Sequence, residues 1–256
     1  MSTGVDGPLL FARFAYPPNA LGYCGPADSD AVLQHAAAGV SDGHLRLLAA
    51  GFAGAWPYLQ LIAGANGLVD PLDPAVVEAY WIGNRLLDRV GSFAFGRSLE
   101  DRFEARIGRS FPRLVEAVPA GALPHHSFHV FGVYPWVGLL RSGSSDQALT
   151  VLDRCRIRWG QVQSVGSGSA VVISRPLVWD GHRLELGTPR PENVLTGVAG
   201  GMLTPDIAVG EWYALHWDWL CERLSPQRLS SLRHYSGRQL DLVNGLAFPA
   251  PATVLS

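Results

Sequence analysis

The spacing of apolar residues changes character near residue 150. Before it, large apolar side chains recur every three or four positions, the period of helices buried on one face. Asp73-Pro74 opens one such stretch, a carboxylate cap followed by proline at the first helical position. Val77, Tyr80, Trp81, Asn84 and Leu87 then share a face. Ser98 with Asp101 three residues on resembles a capping box, and Phe103, Ile107, Phe111 and Leu114 continue the stripe. Residues 44–60 and 128–140 read as further helices, with proline and glycine blurring their ends.

After the polar run Arg141-Ser-Gly-Ser-Ser145 and a brief helical piece over 147–153, the pattern becomes that of strands, starting at Cys155. Ile157, Trp159, Val162 and Val165 lead to a turn at Gly166-Ser-Gly168, and residues 170–174 follow as a strand. Asp180-Gly181 is a hairpin signal between 177–179 and 184–186. Val209-Gly210 opens a last strand through Leu220. Ser225-Pro226 then starts a helix carrying Leu229, Leu232 and Tyr235. The expected fold class is α+β. A helical domain over 1–145 would precede a small OB-like β-barrel with a C-terminal helix over 150–245.

Composition narrows the field. Apolar residues at 48% against charged residues at 16% give enough material for a core and argue against disorder. The net charge of −2 offers no basic surface to a nucleic-acid backbone. Residues 47–69 carry no charge and are long enough to span a bilayer, but Pro57 and several glycines interrupt them. A buried helix pair is the expectation there, with no membrane partner. The start of the chain shows no cationic segment ahead of an apolar one, and the three cysteines, Cys24, Cys155 and Cys221, are odd in number and far apart. A reducing cytoplasm is the expected compartment.

The segment that points to chemistry is Cys155-Arg-Ile-Arg-Trp-Gly160-Gln-Val162. It resembles the opening Cys-Leu-Ala-Ile-Pro-Gly-Lys-Val of the HypC-type NiFe-hydrogenase maturation chaperones. Val165, the Gly-Ser turn and Ala170-Val-Val172 follow in that family's order, and Val209-Gly-Glu-Trp-Tyr-Ala-Leu-His216 resembles its Val-Gly-Asp-Tyr-Val-Leu-Val-His. The resemblance covers roughly the last hundred residues. It implies a barrel that carries, transiently, an iron atom bearing cyanide and carbon monoxide ligands. The expected partners are a maturation scaffold protein and the hydrogenase large-subunit precursor. Cys155 and His216 would be the iron-complex or docking residues, in an accessory protein rather than an enzyme. A thiolate suits soft, low-spin iron, and Arg154, Arg156 and Arg158 are expected to lower the thiol pKa. Here the cysteine is internal rather than next to the initiator methionine, and Trp159 replaces the family's proline. The whole chain is also similar to an uncharacterised bacterial family associated with hydrogenase gene clusters, through Pro124-His-His-Ser-Phe-His-Val130 and Leu215-His-Trp-Asp-Trp219.

A second metal-ligand set is Cys24 with His125 and His129, the two histidines falling at i and i+4 if a helix begins there. The competing account is a polar helix start whose histidines cap it or pack on Tyr134 and Trp136. If the set is real, the alternative function is a metal-dependent enzyme whose helical half makes or loads a diatomic ligand. A generic ligand-binding barrel is the third reading. Cys221 reads as structural, and Trp212, Trp217 and Trp219 suit either a docking surface or the barrel seam.

Overall fold

The computed structural model describes residues 5–107, 111–134, 136–141, 143, 145–198 and 201–245, without the side chains of 104–107, 111–113 and 145. Ile107 and Phe111 of the expected stripe therefore lie outside the described side chains. The architecture is α+β: helices first, a sheet-rich region next, and a C-terminal helix.

Helix α1 (Gly7–Ala20) has proline in its first turn and is apolar nearly all round, so it sits inside the molecule. Leu10, Phe11 and Phe14 are at most 1% exposed. Burying each such side chain contributes about 1.5–3 kcal/mol. Asp28 caps α2 (Ser29–Ala38) by accepting from Ala31 N–H, and Gly39 ends it at φ 65°. The run expected as one helix over 44–60 is two, α3 (Gly43–Ala50) and α4 (Trp56–Ala65), because the chain turns at Gly51. Among the described residues no helix is long and apolar enough to cross a membrane. Helix α5 (Pro74–Trp81) starts at the Asp73-Pro74 signal, with the Asp73 carboxylate accepting from Ala75 N–H at 2.8 Å. After a 3-10 turn at Leu87–Arg89, α6 (Ser92–Ile107) begins six residues before Ser98, so the Ser98/Asp101 pair lies within a helix and caps nothing.

Next come α7 (Phe111–Glu116), the short α8 (His126–Phe128), a π-helical turn at His129–Val133, and α9 (Trp136–Arg141). The single helix expected over 128–140 is thus broken where the backbone widens at the histidines. Such widened turns recur at functional sites. Residues 142 and 144 of the expected linker lie outside the described residues. Helix α10 (Ser145–Cys155) is longer than the expected piece, and Cys155 is its last residue rather than the first of a strand.

The strands are β1 (Arg158–Val165), β2 (Ser169–Ser174), β3 (Leu177–Trp179), β4 (Leu184–Leu186), β5 (Arg190–Leu195), β6 (Gly197–Val198), β7 (Gly201–Met202), β8 (Trp212–His216) and β9 (Trp219–Arg223). The last strand expected over 209–220 is therefore a hairpin, turning at Trp217-Asp218. β3 pairs with β4 across Asp180-Gly181 as foreseen, but in a sheet of their own. The main sheet runs β1-β2-β5-β9-β8 and curls back onto β1. Its seam between β5 and β9 is a single parallel pair, Leu195 with Trp219, so the barrel is barely closed. Val162, Ala170, Val172, Val194, Tyr213, Leu215 and Leu220 alternate inward and fill it. At Gly160 an added Cβ would come within 3.0 Å of Val172, so glycine lets the barrel wall close there. Helix α11 (Pro226–Gly245) starts at Ser225-Pro226, where Ser225 Oγ accepts from Arg228 N–H.

One core runs through both halves. Ile157, Ala214, Trp219 and Cys221 of the barrel region belong to the same buried cluster as Phe11, Phe14 and Trp81. Buried charges cross the same boundary. Glu222 on β9 bonds Arg13 of α1 and Arg228 of α11, and Arg228 reaches Glu78 of α5 at 3.0 Å. Removing one member of such a network strands a buried charge. Glu222→Ala is expected to lower unfolding free energy by about 3–5 kcal/mol, read from the urea midpoint. A loss below about 1 kcal/mol would mean that this network does not join the halves.

Candidate functional site

The site forms where the barrel meets the helices. β8 ends at His216, which is fully buried. Its Nδ1 lies 2.6 Å from the carbonyl oxygen of Phe14 in α1. A carbonyl only accepts, so Nδ1 carries the proton and the neutral ring keeps its lone pair on Nε2. Nε2 is buried without a hydrogen-bond partner among the described residues and lines a cavity of about 310 Å³.

His126 is the first residue of α8, and its ring faces His216 with centroids 5.1 Å apart. Its Nε2 donates to the Cys155 carbonyl at 2.8 Å, which leaves the Nδ1 lone pair opposite the Tyr80 hydroxyl at 3.3 Å. Cys155, ending α10, brings its thiol to the same point. A ring nitrogen of His126, Sγ of Cys155 and a ring nitrogen of His216 lie within 4.8 Å of one another. In a tetrahedral zinc site, bond lengths of about 2.0–2.3 Å put the donors about 3.3–3.8 Å apart. Contraction by at most about 1–1.5 Å would close these donors on an ion. Two neutral imidazoles and a thiol suit a soft or borderline transition metal. His216 has its Nδ1 fixed on a backbone carbonyl, an arrangement that orients metal-binding histidines.

Burial governs the charges. It pushes the pKa of His126 down to about 4. Burial and then the neighbouring His126 hold His216 well below the usual imidazole value. Burial, then Cys24, push the Cys155 thiol up, with the Trp217 side chain opposing them. The expectation that Arg154, Arg156 and Arg158 lower the thiol pKa is corrected by their partners. Arg154 pairs with Asp218, Arg156 with Asp153 at 2.8 Å, and Arg158 with Glu192 at 2.6 Å. Their charge is spent on carboxylates, and the thiol sits in an aromatic pocket. A bound cation is the means by which such a buried thiol loses its proton.

The other predicted residues divide. Cys24 and His129 line the same cavity as Cys155 and His216. His129 Nδ1 lies 3.2 Å from the Tyr58 hydroxyl, and its ring packs edge-on against Tyr134. His125 does not join them. It is the N-cap of α8, where its Nδ1 accepts from Ser127 N–H and its ring stacks on Tyr235. Because α8 starts one residue later than the i, i+4 reading requires, His126 turns to the cavity in its place. Cys221 is fully buried, with its thiol 3.6 Å from the Trp219 carbonyl. Trp219 packs on Tyr16, Trp212 is half-buried under Arg233, and Trp217 stacks on Tyr23 at 4.5 Å.

Trp217 adopts φ 52°, an uncommon conformation for a bulky residue. Its N–H donates to the Arg154 carbonyl at 2.7 Å, and its carbonyl accepts from the buried Arg158 guanidinium. The charged residues around Cys155 therefore position the indole that walls the cavity.

Fold and site together define an α+β protein in which helices and a small barrel jointly enclose a histidine–cysteine cluster. The chain belongs to DUF6390, a family of unknown function, whose family model matches residues 3–249. No curated protein and no solved structure matches it.

Chelator-treated protein is expected to take up a single zinc or iron(II) ion per chain, measured by elemental analysis after gel filtration. Cys155→Ser and His216→Ala should lose that ion, while His125→Gln and Cys221→Ser should keep it. Retention in both of the first two variants would exclude the cluster as its seat.

Proposed function

We propose that this protein is an accessory factor of NiFe-hydrogenase maturation that holds an iron–ligand complex as cargo on Cys155, His126 and His216. The observation that carries the metal-holding part is the meeting of those three donors beside an unpartnered, fully buried His216 Nε2. The maturation part rests on the resemblance of the segment from Cys155 to His216 to HypC-type chaperones. Two of the three donors are the residues which that resemblance singles out.

The surroundings fit such a cargo. The cavity is walled mainly by aromatic and aliphatic groups, among them Phe52, Trp81, Tyr134 and Trp217. Small, weakly basic, non-protein ligands on iron find little competition there from water. The thiol ends a helix and is 8% exposed, unlike a mobile terminal cysteine. Transfer would accordingly need the pocket to open, and docking on the large-subunit precursor supplies a reason for it to do so.

A second reading is a metal-dependent enzyme that makes or loads a diatomic ligand. Tyr80, Cys24 and His129 favour it, since all three reach the cavity from the helical half.

The test is capture of the hydrogenase large-subunit precursor by tagged full-length protein, with iron measured in the eluate. Capture with iron by wild type, and loss of iron with Cys155→Ala, is the expected result. Capture without iron in either would reduce the role to docking. No capture by either protein would overturn the maturation reading and leave the enzyme.

A further inference from the structure

The loop between α1 and α2 delivers a second thiol to the cavity that holds the three donors. We infer that Cys24 is the fourth ligand of this site. The inference rests on the metal-holding reading above and concerns a bare metal ion in a tetrahedral site, without the diatomic ligands of the iron cargo.

Three protein donors leave one place of a tetrahedral set to be filled, by water, by cargo or by the protein. Cys24 is placed to fill it. It lines the same cavity as His216, a fully buried residue whose Nε2 has no hydrogen-bond partner among the described residues. A buried, unpartnered acceptor of this kind is an independent sign of a ligand-binding position. Cys24 does not join the group of donors within 4.8 Å of one another, so its thiol must shift inward to complete the set.

The loop itself is held in place, which leaves that shift to the Cys24 side chain and small adjustments of the turn. Asn19 Nδ2 donates to the carbonyls of Cys24 at 2.8 Å and Pro26 at 2.7 Å, which ties the turn to the end of α1. Gly22 adopts φ 74° in open space, where nothing lies within 4 Å of an added Cβ. Gly25, at φ 89°, rests on the Phe52 ring, where an added Cβ would come within 2.4 Å. Gly22 N–H donates to the Asn19 carbonyl and Tyr23 N–H to the Pro18 carbonyl, so the turn is bonded before Cys24 and seated after it. Tyr23, 53% exposed, lies flat on Trp217 and forms the outer wall of the same turn.

Two thiolates and two imidazoles suit zinc, iron(II) or cobalt(II). As each sulfur–metal bond forms, the S–H proton passes to the buffer, and no oxidant or reductant is involved.

The test is a cobalt(II) titration of the reduced, chelator-treated full chain, read from the sulfur-to-cobalt charge-transfer absorption. Wild type should show about twice the band intensity of Cys24→Ser or of Cys155→Ser, and Cys24→Ser should bind cobalt at least about tenfold more weakly. If Cys24→Ser keeps wild-type intensity and affinity while Cys155→Ser loses the band, the fourth-ligand assignment is overturned and the three-donor site stands. Absence of the band in wild type overturns both. Maleimide labelling of wild type gives a readout that needs no variant: cobalt should protect Cys24 as well as Cys155. Undiminished labelling of Cys24 in the presence of cobalt would also overturn the assignment.

Discussion

The hydrogen bond from His216 Nδ1 to the carbonyl of Phe14 organises the molecule. It joins the end of a barrel strand to the largely buried helix α1, across 202 residues of sequence. It also fixes the tautomer, so that the remaining lone pair faces the cavity. A buried imidazole needs such a partner, and placing that partner on the other half makes the site depend on docking of the two halves. His126 repeats the device by donating to the carbonyl of Cys155. His126 is thereby tied to Cys155, and His216 to α1.

Around this centre, charge serves shape. Arg158 is 1% exposed and divides its donors between Glu192 and the Trp217 carbonyl. Ser174 donates to the same Glu192 carboxylate. The indole of Trp217 is held in a left-handed turn by these bonds, and backbone strain of this kind tends to collect at sites with a task. Arg13, Glu222, Arg228 and Glu78 do the corresponding work on the other side, where α1, α5, β9 and α11 converge. The interior next to the thiol is left apolar and nearly free of net charge. A neutral thiol and neutral imidazoles are stable there, and a cation is the occupant that would change their state.

Much of the fold was legible where local chemistry is strong. Asp73-Pro74, Ser225-Pro226 and Asp180-Gly181 each begin or turn the element expected of them, because caps and turns are decided by a few adjacent residues. The hairpin at Trp217-Asp218 was missed because its bulky first residue carries no turn signal, and tertiary bonds from Arg154 and Arg158 hold it. The pairing of Cys155 with His216 followed from a resemblance, and the two side chains do meet. The third donor did not follow. In His125-His126-Ser-Phe-His129 the helical spacing selects the outer pair, and the choice of His126 depends on where the helix starts. Nothing in the sequence settles that phase, since His125 itself serves as the cap. The arginines flanking Cys155 misled for a related reason: sequence shows neighbouring charges but not the carboxylates that neutralise them.

The central claim is that Cys155, His126 and His216 form one metal centre. X-ray absorption at the edge of the bound metal tests this most directly, with zinc as the loaded ion. The account predicts sulfur at about 2.3 Å together with imidazole nitrogen at about 2.0–2.1 Å. A shell of oxygen and nitrogen alone, with no sulfur, would contradict it.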